Sequence, residues 1–451
     1  MRILILATDI YTRGGVARYT ATLAAALSGL PASVDVLPLL GEHGSASVIP
    51  AKAGIHSGDR CETEDITKVD SRLRGNDGCA ECGAHVLAPT ADRLSAGMKI
   101  RHAVRALRQA RSRYDFVICS HLSQAPIAAT IGLRYGTPYM VVAHGSEAWG
   151  RLPIPKRLAV RGARAVLAVS LYTARALAAM NRISPARVKV IYNAIPEELA
   201  QALASGRGDP RGRPGRPQAP PLQPTLLSVA SLKPEHAYKG VDTVIQSLPQ
   251  IASAVPEVRY VVVGHGEDRL RLERLASSVG VRDRVIFAGE VSDVQLANLL
   301  RTCDVFVLPS RTFRSEGDRW QGEGFGRVYV EAALAGKPVV GSTEGGAAEA
   351  VLDGRTGLLV DPRSVTGVAM AAIRLLQAPH WAASLGVEGR RWALRRFTVA
   401  AMRRALARVL DEDLRLRESV VRCSWFFVRP NWTNSRRSAP IDNWQRTATD
   451  N

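Results

Sequence analysis

Glu323-Gly-Phe-Gly-Arg-Val-Tyr-Val-Glu331 sets two carboxylates eight positions apart, with glycines after the first and an apolar helical run reaching the second. The glycines mark a turn and the run a helix beginning near Gly326, so a helix N-terminus lies between the two acids. Backbone N–H groups of Gly326, Arg327 and Val328 then point at whatever precedes the helix, where the dipole favours an anion. Glu331 leaves the second turn as an acceptor for hydroxyls, while Glu323 stays on the approach loop. On either side stand apolar runs of strand length, Val305–Leu308 and Pro338–Gly341. A strand, a helix and a second strand in this order read as one crossover of a parallel sheet.

The same alternation extends through most of the chain, which predicts an α/β protein with two parallel sheets. The first has strands at Arg2–Ala7, Val34–Leu39, Phe116–Cys119, Tyr139–Ala143, Ala165–Val169 and Val188–Tyr192, with a helix at Val16–Leu27. The second has strands at Thr225–Val229, Arg259–Val263, Arg284–Phe287, Val305–Leu308, Pro338–Gly341 and Gly357–Val360. A length of 451 residues fits this, since one core usually serves roughly 100–200 residues. The expected organisation is an N-terminal domain over 1–198, a linker over 199–224 and a C-terminal domain over 225–390. Helices over 391–417, including Val399–Leu416, are expected to pack across the lobes. Ser205–Pro224 is dense in Gly, Pro and Arg and is expected not to fold alone. Residues 41–83 break the periodicity, and parts of them resemble a translated bacterial repeat element, so a disordered insertion is expected there. The tail over 418–451 carries no fold signal.

Composition narrows the class. Apolar residues make up 46% and charged residues 22%, and no apolar run approaches the roughly 20 residues of a spanning helix. The short N-terminal apolar run reads as a first strand rather than a secretory signal, so a cytoplasmic location is expected. Six cysteines are too few for a disulfide framework. Cys79 and Cys82, with Cys61 upstream, have metal-ligand spacing without a matching second pair, so no metal is assigned. The formal charge of +19 implies anionic partners. Lys99, Arg101, Arg105, Arg108, Arg111 and Arg113 follow one another without an acid, while Ile100, Val104 and Leu107 recur at helical spacing. That pattern suits either a helix on an anionic membrane surface or a solvated basic face over an ordinary core stripe.

Further candidate residues lie after predicted strands, where open parallel sheets gather ligands. Gly14 and Gly15 open the first helix and offer N–H groups to a phosphate, although a tight strand-to-helix turn wants glycine in any case. His144, in Val141-Val-Ala-His-Gly-Ser-Glu147, can donate to a sugar hydroxyl or a developing charge. Asn193 either contacts a ligand or caps a turn. Lys233 and Lys239, in Ser231-Leu-Lys-Pro-Glu-His-Ala-Tyr-Lys-Gly240, can reach the same cleft and neutralise a diphosphate. Gly345-Gly346 and Glu349 supply another glycine turn into a helix.

With these motifs in order, the chain resembles the retaining GT-B glycosyltransferases, a family that includes bacterial mannosyltransferases and lipid and polysaccharide glycosyltransferases. Tyr238-Lys-Gly240, Val263-Gly-His-Gly266, Asp304-Val-Phe-Val-Leu-Pro-Ser310, Glu323-Gly-Phe-Gly326 with Glu331, Ala335-Gly-Lys-Pro-Val339, and Gly345-Gly346 with Glu349 carry the likeness, which spans all but the insertion and the tail. The resemblance implies two Rossmann-like doubly wound parallel-sheet domains facing a central cleft. It implies a nucleotide-sugar donor, a GDP- or UDP-sugar, against the second lobe, with Lys239 at the diphosphate, Glu331 at the ribose and Glu323 at the sugar. Gly14, Gly15, Lys233, Gly324, Phe325, Gly326, Arg327, Val328 and Glu349 complete the expected donor site, and His144, Lys239 and Glu323 are the expected catalytic residues. Retention at the anomeric carbon without a required metal is likewise implied. One departure stands out: Ser231 occupies the position where the family usually carries an arginine for the diphosphate. Lys233, Arg311, Arg314 and Arg319 are the candidates to replace it.

The expected acceptor is a glycan or lipid-linked precursor of the cell envelope or a polysaccharide, met on the inner face of the cytoplasmic membrane. Two other classes stay open: a catalytically weak or inactive nucleotide-sugar-binding homologue, suggested by Ser231 and the insertion, and a basic nucleic-acid-binding protein, suggested by net charge alone. No nucleic acid is expected, because the chain lacks an aromatic platform or a recognisable binding module.

Overall fold

A computed structural model describes residues 1–8, 15–39, 47–48, 96–204, 223–315 and 319–424. In the first lobe the strands are β1 (Arg2–Ala7), β2 (Ser33–Pro38), β3 (Ser47–Val48), β4 (Phe116–Cys119), β5 (Tyr139–Ala143), β6 (Ala165–Ala168) and β7 (Val188–Val190). They lie in the order β3-β2-β1-β4-β5-β6-β7. Every pairing is parallel except β2 with β3, where Asp35 faces Val48 and Val36 faces Ser47. The helices are α1 (Gly15–Ser28), α2 (Ala96–Ala110), α3 (Ala125–Tyr135), α4 (Ile154–Gly162), α5 (Leu171–Asn181) and α6 (Glu197–Ala204). β4, β5 and β6 are buried along their whole length. That is why they read as unbroken apolar runs rather than as alternation.

The second sheet comprises β8 (Thr225–Val229), β9 (Arg259–Val263), β10 (Val285–Gly289), β11 (Val305–Val307), β14 (Val339–Ser342) and β15 (Gly357–Val360), ordered β10-β9-β8-β11-β14-β15 and parallel throughout. A small antiparallel hairpin, β12 (Phe313–Arg314) with β13 (Trp320–Gln321), stands before the Glu323 loop. Its helices are α7 (Val241–Ala254), α8 (Arg269–Ser278), α9 (Asp293–Thr302), α10 (Arg327–Leu334), α11 (Ala347–Ala350) and α12 (Val365–Gln377), followed by α13 (Pro379–Arg396) and α14 (Val399–Ser424). Strand order reverses between β1 and β4 in one sheet and between β8 and β11 in the other. Those switch points are where loops diverge and leave a crevice.

Several expectations need correction. The expected linker over 199–224 begins inside a helix, α6 (Glu197–Ala204), packed on α9 and α10; its acidic first turn, Glu197 and Glu198, suits a helix N-terminus. Residues 205–222 lie outside the described residues, as does the expected insertion apart from the edge strand at Ser47–Val48. Helix α14 runs through Ser424, into the stretch expected to be a structureless tail. The chain returns to the first lobe around the start of that helix: Ile195 N–H donates to Phe397 O at 2.8 Å, and the Arg403 guanidinium, in its first turns, lies against Gly29.

Candidate active site

The Glu323 loop is built from close backbone approaches that only glycine permits. Gly326 adopts φ 86° as the residue before α10, and a Cβ there would fall 2.2 Å from the Tyr329 ring. Gly324 sits against the first lobe: a Cβ would lie 2.0 Å from His144 O and 3.1 Å from Gly145 Cα. Behind it, Gly346 N–H donates to Glu323 O at 2.8 Å. The loop is thus fixed from both sides, and the lobes meet backbone to backbone at Gly145 and Gly324.

Glu323 turns its carboxylate to Lys239, whose ammonium donates to Oε2. Both side chains are largely buried, at 17% and 14% exposed. Lys239 ends a short 3-10 turn, Pro234–Lys239, and Gly240 follows at φ 78°, pressed on Pro309 O. Burial pulls the ammonium's pKa down, but the charge of Glu323 and the Tyr238 phenol outweigh it and the net direction is up. A cation held this way is kept charged by its buried partner.

Glu331 is buried on α10 and accepts from Arg327 Nε at 3.0 Å. Burial, ahead of the opposing charge of Glu331, moves the Arg327 pKa down. Its Nη2 is buried without a hydrogen-bond partner among the described residues. Val328 follows in the open first turn of α10, while the Phe325 ring turns away into a cluster with Tyr192 and Phe397, at 5.5 and 5.2 Å between centroids. The Phe325 side chain is therefore core, and only its backbone belongs to the cleft.

His144 follows β5. Its Nε2 lies 2.6 Å from Ser120 O, and since a carbonyl can only accept, Nε2 carries the proton. Burial lowers its pKa against the raising influence of Glu147. A neutral ring with Nε2–H committed leaves Nδ1 as an acceptor, so this histidine takes a hydrogen bond from a hydroxyl rather than giving one. Tyr19 meets it edge-on at 4.9 Å and His121 stacks at 5.9 Å. Gly15 opens α1 with free space where a Cβ would be, whereas Gly14 lies outside the described residues. Asn193 Oδ1 is buried without a partner among the described residues.

Other expected residues stand elsewhere. Lys233 is exposed on the loop after β8. Glu349, expected at the donor, instead spans the lobes: its two oxygens accept from Leu171 and Tyr172 N–H at 2.7 Å each, and from Tyr192 Oη at 3.1 Å. The N-terminus of α5 needs acceptors, and this carboxylate supplies them from the opposite lobe. Arg311 cannot replace a cation at Ser231, because its guanidinium is held by Asp242 at 2.7 Å and by Ala237 O at 2.7 Å. A second interlobe tie, Arg18 to Asp293 at 3.3 Å, joins α1 to α9. The Trp149 indole underlies Gly322, and Trp320 faces Gly150 across the cleft.

Against known proteins, residues 215–392 match the model of the family Glycosyl transferases group 1, and residues 13–199 match Glycosyltransferase Family 4. The GDP-mannose-dependent alpha-(1-6)-phosphatidylinositol monomannoside mannosyltransferase of Mycolicibacterium smegmatis is 34% identical over 277 residues, 60% of this chain and 70% of that protein. D-inositol 3-phosphate glycosyltransferase 2 of Catenulispora acidiphila is 33% identical over 244 residues, 50% of this chain and 54% of that protein. Among solved structures, a sucrose-phosphate synthase from Thermosynechococcus elongatus superposes with a TM-score of 0.65 at 19% identity, covering 92% of this chain and 99% of that one. Anabaena HepE in complex with UDP superposes at 0.62 and 18% identity, over 91% of this chain and 100% of that one. Two parallel-sheet lobes, the glycine-shaped loop between Glu323 and α10, and these matches lead to one conclusion: the chain belongs to the group 1 glycosyltransferases of GT-B fold, which draw on nucleotide-sugar donors.

Proposed function

We propose that this glycosyltransferase moves mannose from GDP-mannose to a phosphatidylinositol-type, lipid-linked acceptor, with retention at the anomeric carbon and no required metal. The donor is carried by the names of its relatives, which act with GDP-mannose on a phosphatidylinositol monomannoside. The observation that carries the chemistry is the buried Lys239–Glu323 pair beside the N-terminus of α10. In this reading the diphosphate takes Lys239 and the free N–H groups of α10, ribose hydroxyls reach Glu331, and the sugar lies between Glu323 and His144. Lys239 stabilises the leaving diphosphate. Retention then follows either same-face attack, with the departing phosphate taking the acceptor proton, or a covalent intermediate on Glu323.

The lipid surface is supported by α2. His102, Ala106 and Ala110 face the core, while Met98, Ile100 and Val104 are exposed among Lys99, Arg101 and Arg105. The apolar residues of the sequence pattern thus divide, and only Leu107 packs inward with that core. Ile154 and Leu158 of α4 are exposed as well, at 63% and 60%. A mixed apolar and basic face of this kind suits peripheral attachment to the cytoplasmic leaflet.

Thermal-shift screening against GDP- and UDP-sugars tests the donor assignment: stabilisation by GDP-mannose supports it, and indifference to every nucleotide sugar removes it. A second reading, binding without efficient turnover, is favoured by Ser231 and by the commitment of Arg311 to Asp242. Donor hydrolysis and transfer both absent, with GDP-mannose bound, would select it.

A further inference from the structure

Lys239 and Glu323 sit on loops 84 positions apart, and their pairing needs something that fixes the spacing of those loops. The step Arg311–Thr312, shortly after β11, touches both sides. On one side the Arg311 backbone N–H donates to Tyr238 O at 2.7 Å, next to Lys239 itself. Its guanidinium Nη2 donates to Ala237 O at 2.7 Å and to the two Asp242 oxygens at 2.7 and 2.9 Å. A 3-10 turn such as Pro234–Lys239 ends in carbonyls that its own backbone does not fully satisfy, and Asp242 lies in the first turn of the helix that follows. One side chain therefore ties the turn to the start of α7. On the other side Thr312 N–H donates to the Glu344 carboxylate. Thr312 Oγ1 lies 2.7 Å from where a Cβ would stand on Gly322 and 2.8 Å from where one would stand on Gly345. Beside them, Gly346 N–H holds Glu323 O at 2.8 Å.

The Arg311 guanidinium is thus engaged by protein acceptors, yet it governs where Lys239 stands. On the reading of the Glu323 loop as the donor centre, we infer that Arg311 is a positioning residue for donor binding. It acts through Lys239, holding the Pro234–Lys239 turn so that the ammonium meets Glu323 beside the N-terminus of α10. The mode of attachment makes this separable from a general role in stability. All three side-chain bonds come from a single nitrogen, so a lysine ammonium with three donors can take over part of them, and methionine none. Loss of the guanidinium also leaves Asp242 a second cation, Arg271 Nη1 at 3.9 Å, so its carboxylate is not stranded.

Labelling of the full chain with acetic anhydride, followed by peptide mass spectrometry, reads the Lys239 amine without any donor. Lys239 should be protected in the unaltered chain and react several-fold faster in Arg311→Met, with Arg311→Lys between them and the exposed Lys99 equal in all three. Asp242→Asn cuts the same tie from the other end; it should reproduce the Arg311→Met result, and it carries the test if Arg311→Met does not fold. Donor binding gives the second readout. GDP affinity by titration should fall about tenfold in Arg311→Met, the scale of a lost charge-assisted contact, and fall no further when the same substitution is made on Lys239→Ala. An equal loss in both backgrounds, or Lys239 equally protected with and without Arg311, overturns the proposal, since a residue serving stability alone gives those results. Failure of the unaltered chain to bind GDP would instead strike the donor reading, and the labelling would still decide whether Arg311 positions Lys239.

Discussion

Gly324→Ala should act as a wedge between the lobes. The new methyl would stand 2.0 Å from His144 O, and Cβ atoms essentially never approach other atoms within 3.0 Å. The obstacle is backbone on both sides, so no side chain can swing away to make room. Relief therefore requires the first lobe to retreat by about 1 Å, and a misplacement of that size costs on the order of 100-fold in rate. Lys239, α10 and Glu331 all belong to the second lobe, so donor affinity should stay near that of the unaltered chain while kcat for transfer falls. Gly145→Ala should show a milder version, because its Cβ would lie 2.8 Å from Gly324 Cα and 3.4 Å from Gly324 N. Initial transfer rates, with nucleotide affinity measured by titration and folding by circular dichroism, provide the assay. Full turnover in a folded Gly324→Ala protein would refute the claim that catalysis needs this backbone contact.

Other perturbations follow from the same geometry. Glu349→Ala removes an ionised acceptor shared by Leu171, Tyr172 and Tyr192; with hydrogen bonds to charged groups worth about 1.5–3 kcal/mol each before exposure discounts them, a loss of about 2 kcal/mol in thermal stability is expected, and an unchanged melting temperature would count against the clasp. Lys239→Ala should raise the donor Kd and lower kcat, since it deletes the cation nearest the expected diphosphate; unchanged donor affinity would remove that assignment. His102 and His144 both have pKa values lowered chiefly by burial from the ordinary 6.5. Depressed folded-state values leave stability complete above about pH 6.5 and lose it as pH falls toward them, because the unfolded chain takes up protons first. Unfolding free energy measured by denaturant between pH 8 and 5 should show this decline, and His102→Gln should flatten part of it; a flat profile for the unaltered chain would contradict the buried neutral imidazoles.

The sheets were legible because their central strands are buried on both faces and so appear as uninterrupted apolar runs, Phe116–Cys119 and Tyr139–Ala143 among them. Their ends were less so. β10 begins at Val285 because Arg284 closes a 3-10 turn, and β7 stops at Val190, before the predicted Tyr192. The glycines around Glu323 could be recognised as a turn, but not what each one clears: Gly324 faces the other lobe and Gly326 a tyrosine ring of its own helix. Interlobe partners were beyond reach for a simple reason. Glu349 is 178 positions from Leu171 and Arg18 is 275 from Asp293, and no periodicity links residues at such separations. Phe325 and Glu349 share motifs with residues expected at the donor, and only packing shows the one as a core ring and the other as an interlobe clasp. Tyr19 and Trp320 had a signal, each being a large aromatic beside a glycine-rich loop at a strand's end.

Whether the Glu323 loop is the donor centre of a mannosyltransferase acting on lipid is decided by incubating the full chain with radiolabelled GDP-mannose and phosphatidylinositol vesicles. Label should enter the lipid phase with the unaltered chain and be lost in Glu323→Gln, with vesicle sedimentation the same for both. Transfer undiminished in Glu323→Gln, or no label in lipid from a chain that binds both GDP-mannose and the vesicles, would contradict it.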